Sequence, residues 1–233
     1  MKHIKCTLGE YFFKARHALH AAKKNDQIYP LIAEYNMTYQ KIDSGLALMD
    51  KLMNANKHKI ESHGKQLEAR CDLQNLFSEV RPVYMSHIKL MEIKYRKNPE
   101  RLKRLMLLVP RERNINGWLI QADTFYSNLI QDAEMINKLE ENAITLDNLT
   151  ASHAKIKEIE TASTRHREAK GLSQVASEAR DILLEEFDLW FSEFLHICKM
   201  ALRKQPQLLE ILGITVLSKG YTREKPGPLL PGQ

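Results

Sequence analysis

The chain has 233 residues, 43% of them hydrophobic, with 9 glycines, 8 prolines, a formal net charge of +6 and a pI near 9.1. Such a composition is globular, long enough for one or two domains with a real core, and too poor in turn residues for a sheet-rich architecture. Three widely separated cysteines, Cys6, Cys71 and Cys198, form no CxxC pair. This argues against a disulfide framework or a zinc knuckle and for a reducing compartment.

The chain opens on a basic segment in which Glu10, Lys14 and Arg16 interrupt every apolar stretch, so it does not read as a secretory signal. No later run reaches the roughly 18 apolar residues that a membrane helix needs. The expectation is a cytoplasmic protein without a membrane partner.

In chain order the periodicity predicts a helix over 9–23, a short one over 26–35 and long ones over 38–62 and 66–97. Ile42, Leu46, Met49, Met53 and Ile60 keep steps that return to one helical face. Thr38 is an expected N-cap. Gly64 can take a left-handed turn and is expected to end one helix before the next, a continuous helix being the alternative. Asn98-Pro99 starts a further short helix, because proline suits the first helical position. "LVPRERN" then links to a second set of helices over 116–130, 133–141, 145–169 and 173–204, with Thr145, Gly171 and Pro206 standing where Thr38, Gly64 and Pro99 stood.

That correspondence is an internal repeat at an offset of 107 positions. "YRKNPERLKRLML" at 95–107 matches "LRKQPQLLEILGI" at 202–214. Tyr11-Phe12-Phe13 falls on Trp118-Leu119-Ile120, and Val80, Val83, Tyr84, Ile88 and Met91 fall on Phe187, Trp190, Phe191, Leu195 and Cys198. The expected organisation is a helical unit over 8–107, a linker over 108–114, a second unit over 115–214 and a flexible Pro/Gly-rich tail over 215–233. The fold class is all-α, with two antiparallel helical bundles in tandem.

The stretch "FDLWFSEFLHICKMALRKQPQLLEILGI" resembles uncharacterised bacterial all-helical proteins built from a duplicated unit of roughly a hundred residues. The resemblance covers most of the second unit and, more weakly, the first. It implies a fold and no activity.

Motifs that could carry chemistry are few. Glu193 and His196 form E-x-x-H, as in di-iron bundles, but the matching positions of the first unit are Ser86 and Lys89, and a lysine repels a metal. His17 and His20 lack an acidic or cysteine partner at helical spacing. Arg81 and His87 have the Arg-to-His spacing of helical-domain ribonucleases, where histidine moves a proton and arginine holds a phosphate. Chance alone supplies about 1.5 such pairs in a chain of this composition, and Pro82 lies inside this one. There is no phosphate-cradling glycine loop and no nucleophile elbow. No cofactor or metal is expected.

The excess charge is concentrated at the end of the first unit. Between 89 and 113 nine basic residues face three acids. The candidate binding segment is Lys94, Arg96, Lys97, Arg101, Lys103, Arg104, Arg111 and Arg113. Arg101 and Arg104 stand where the second unit has Leu208 and Ile211, so this side of the short helix is expected to face solvent or ionic partners. Three functions compete. One is a non-enzymatic scaffold or accessory subunit that docks on a protein partner, or on itself, through apolar helix faces and this segment. Another is an accessory protein that binds nucleic acid through it. The third is a ribonuclease acting through Arg81 and His87.

Overall fold

The computed structural model describes residues 7–216. The tail expected over 215–233 therefore lies, from 217 onward, outside the described residues, as does Cys6. Among the described residues the elements are all helices: α1 (Leu8–Lys24), α2 (Tyr29–Ala33), α3 (Tyr39–Lys94), α4 (Pro99–Arg104), α5 (Ile115–Ile130), α6 (Ala133–Glu140), α7 (Leu146–Ala201) and α8 (Leu208–Ile211).

Local chemistry starts these helices where the sequence suggested. Thr38 Oγ1 accepts from the amide of Lys41 at 3.4 Å, and Thr145 Oγ1 from that of Asn148 at 3.3 Å. Asn98 caps α4 by accepting from the amide of Arg101, and Asn114 and Asp132 cap α5 and α6 in the same way. Thr7 and Glu10 close a reciprocal capping box at the start of α1.

The glycines behave otherwise. The expected breaks at Gly64 and Gly171 do not occur: α3 and α7 each run 56 residues straight through them. Neither glycine has a positive φ. Both are flanked on each side by residues that continue the helical ladder, and a lone glycine costs a helix only about 1 kcal/mol relative to alanine. That is too little to stop a helix whose apolar face remains packed.

The compact units also differ from the sequence units. Among the described residues, one unit combines 7–57 with 178–216, and the other spans 58–177. In the first, Phe12, Ala15, Leu19, Ile32 and Met49 pack with Phe187, Phe194, Cys198 and Leu209. In the second, Tyr84, Ile88, Met91 and Leu105 pack with Trp118, Phe125, Tyr126, Met135 and Ile159. Each core thus draws on the beginning of one sequence repeat and the end of the other. Burial of apolar area is non-directional, so the stripe of a helix specifies only that it be covered, not by which neighbour.

The offset of 107 recurs in the conformation. The pair α3 and α7 starts and ends at that separation. Left-handed residues stand at Asn36 and Ala143, and again at Met106 and Gly213. Tyr11 meets Phe191 edge-on at 6.0 Å and 87°, and Trp118 meets Tyr84, the residues 107 further and 107 earlier, at 5.4 Å and 86°.

Candidate functional site

The basic segment divides into paired and unpaired cations, all within the second unit. Lys94 Nζ donates to Glu141 at 2.8 Å. Arg101 bonds Glu134 and donates to the Tyr95 hydroxyl at 3.1 Å, with its guanidinium over the Tyr95 ring. Arg104 faces Asp132 at 3.7 Å. Arg111 reaches Glu92 at 3.4 Å and the Met106 carbonyl at 3.1 Å. The hydrogen bond from Arg101 holds Glu134 below the ordinary carboxylate range, and the one from Lys94 does the same for Glu141. Arg96, Lys97, Lys103 and Arg113 are exposed, and no ion pair reaches them among the described residues.

Position by position, the first unit carries no charge at the residues matching the Arg101 and Arg104 pairs. Counterparts of Asp132 and Glu134 are Asn25 and Gln27, and those of Arg104 and Arg101 are Ile211 and Leu208. Arginines and acids therefore appear together in one unit and are both absent from the other.

Arg81 and His87 do not meet. Arg81 is exposed, with its guanidinium 5.7 Å from the Phe77 ring centroid. His87 is 5% exposed and its Nδ1 lies 3.0 Å from the Tyr126 hydroxyl. Burial pushes its pKa below the ordinary imidazole value, so it is neutral at pH 7. Burial likewise raises Tyr84 and Tyr126. Tyr126 stacks on His153, whose Nε2 lies 2.7 Å from Asp123, and Lys157 binds the same carboxylate at 2.8 Å. Burial tends to raise the pKa of Asp123, but the hydrogen bonds from Lys157 and His153 outweigh it, and the net direction is down. The remaining histidine motifs stay apart: His17 Nε2 sits 3.0 Å from the Ile211 carbonyl, and Glu193 and His196 are both exposed. Among the described residues no three metal-ligating side chains gather.

A groove that the sequence did not announce opens beside His87. Its volume is about 350 Å³, and it is lined by Val80, Val83, His87, Ile144 and Ser152 among others. Glu79 and Lys155, also in its lining, form an ion pair. In the first unit, Trp190 lies against Gly45 so closely that a Cβ there would meet the indole at 2.0 Å. The signal available in sequence was the pair Gly45 and Trp190 aligning with Ser152 and Val83 at the common offset. A wider hollow of about 640 Å³ between α3 and α7 is lined by charges of both signs, including Asp72, Glu79, Lys157 and Arg165.

Comparison with models of protein families, with curated proteins and with solved structures finds no match to this chain. Among the described residues no helix is long and apolar enough to cross a membrane.

Proposed function

We propose that the chain is a non-enzymatic helical interaction protein, a cytoplasmic accessory or scaffold subunit built by duplication of one helical unit. The duplication is supported by helix bounds, left-handed residues and edge-on ring pairs that repeat at 107 positions. The observation that carries the function is a row of exposed apolar side chains on α7, set among exposed Glu185, Glu193 and His196. Within the first unit Ile182, Leu189 and Met200 are 66%, 74% and 54% exposed. Steps of seven and eleven residues return to the same side of a helix, the spacing with which one helix keeps a seam toward another. In the second unit the same helix exposes Leu172 and Val175. Apolar side chains in such a row mark a contact surface more than scattered ones do.

Leu189→Lys tests this reading. The position is exposed, so folding stability should change by no more than about 0.5 kcal/mol. Wild-type protein should self-associate in sedimentation or retain a defined partner through purification from its native lysate, and the variant should lose that association. A wild-type chain that sediments as a monomer and retains nothing would end the proposal.

Nucleic-acid binding is the second reading, favoured by the four exposed cations Arg96, Lys97, Lys103 and Arg113. Four phosphate contacts give a slope of log affinity against log salt no steeper than about −3.6. Absence of binding to mixed RNA and DNA at low salt removes this reading. Ribonuclease action through Arg81 and His87 draws no support from their separate placement.

A further inference from the structure

We infer that the groove of the second unit receives a tryptophan side chain presented by a partner polypeptide, an inference that rests on the chain being an interaction protein. In the first unit the indole of Trp190 covers Gly45 and stacks between Phe187 and Phe194, at 6.4 and 5.8 Å between centroids. Counting 107 positions along the chain, Val83 replaces Trp190, Ser152 replaces Gly45, Val80 replaces Phe187 and His87 replaces Phe194. All four replacements line the groove. The space that an indole fills in one unit is therefore left open by a smaller side chain in the other.

The lining suits that ring. Val80, Val83 and Ile144 give apolar walls, and the buried His87, held by Tyr126, stands where Phe194 stands beside Trp190. Ser152, Asn148 and the Glu79–Lys155 pair place polar atoms about the apolar surface. An indole combines a large apolar body with one N–H donor, and needs both kinds of neighbour. Val83 is exposed, so the groove is open to solvent on one side. A ring entering from there keeps its point of attachment outside, as a side chain does and a wholly buried ligand does not. Tryptophan is also, with tyrosine and arginine, enriched among the side chains that anchor protein interfaces.

The experiment uses the full chain. N-acetyl-tryptophanamide is titrated while backbone amide shifts are followed, with N-acetyl-leucinamide as the comparison. Saturable shifts at Val83, Ala143, Ile144 and Ser152 are expected with a dissociation constant in the millimolar range, at least about tenfold weaker for the leucine probe. The variant V83W/S152G restores the pair found in the first unit. It should fold, recover the stability that Val83→Trp alone loses against Ser152, and show no response to the probe. No shift up to about 20 mM, an equal response to leucinamide, a response that survives in V83W/S152G, or failure of that variant to fold would each overturn the inference. Leu189→Lys, on another helix surface, tests the interaction reading separately. A chain that keeps its partner yet ignores tryptophanamide loses only the inference about the groove.

Discussion

The indole of Trp190 rests directly on the backbone of Gly45, with three ring atoms within 2.5 Å of where a Cβ would be. A methyl group there cannot be accommodated unless the ring moves, and the ring is stacked between Phe187 and Phe194. Gly45→Ala therefore destabilises the chain by about 1–3 kcal/mol through overpacking, although alanine is the better helix former by about 1 kcal/mol. Urea unfolding measures the balance. An unchanged or raised midpoint would show that the indole swings aside at little cost.

Arg101 and Glu134 pose the opposite case, a charged pair at positions where the first unit has no charge. The first unit places Leu208 and Gln27 at the corresponding positions. Because Arg101 and Glu134 are both accessible to water, their pairing contributes modestly and is weakened by salt. The double variant R101L/E134Q should unfold at a temperature close to that of the wild type, while Arg101→Leu alone should release Glu134 to titrate nearer the ordinary glutamate value. Side-chain carboxyl titration by NMR checks the second outcome, and a large fall in the melting temperature of the double variant would contradict the first.

His87 gives the fold a pH dependence with a definite sign. Burial lowers its pKa from 6.5 in the folded chain. Between that value and the lower folded value, the unfolded chain binds a proton that the folded chain does not, so stability falls as pH falls. Above pH 6.5 the contribution is fully present. Glu134, Glu141 and Asp123 are also held down, but they cost stability only as pH drops below the carboxylate values near 4. Below pH 6.5 the wild-type stability should decline with a slope of up to about 1.4 kcal/mol per pH unit. His87→Phe, the residue of the first unit, should flatten that slope whatever it does to stability at pH 7. Equal slopes in the two proteins would place the proton elsewhere.

What the sequence disclosed follows from what periodicity and caps encode. Thr38, Thr145 and Asn98 are read correctly because a cap is a local device, settled within one turn by a side-chain oxygen and a free amide. The face of Ile42, Leu46, Met49 and Met53 is read correctly because burial of a helix face has a fixed spacing, although Ile60 on the same line is exposed. Partner choice is not local. Nothing in the stripe of α7 states that Phe187, Phe191 and Phe194 will pack with Phe12 and Leu19 of α1. The exchange of Leu208 and Ile211 for Arg101 and Arg104 suggested solvent or ion pairs, and Arg101–Glu134 with Arg104–Asp132 are the pairs. The acids that complete them lie on and beside α6, where only tertiary structure brings them. The groove beside His87 was hidden for a similar reason, since a vacancy is a relation between Val83 and Ser152 and belongs to neither residue alone.

Gly64 and Gly171 mark the limit of local reasoning, and they furnish a clean test. A glycine that ends a helix has a left-handed φ, and alanine there introduces strain. These two lie inside continuous helices with ordinary φ, and a Cβ at either would have no atom within 4 Å. Nothing would be displaced by the added methyl, and the unfolded chain would lose conformational freedom. Each of Gly64→Ala and Gly171→Ala should therefore stabilise the protein by about 0.5–1 kcal/mol. Because no added atom meets the other site, the double variant should gain close to the sum. Circular dichroism should show helicity held or slightly increased. A loss of stability in either single variant would mean that the glycine bends or breaks its helix in solution, and that α3 or α7 is two helices after all.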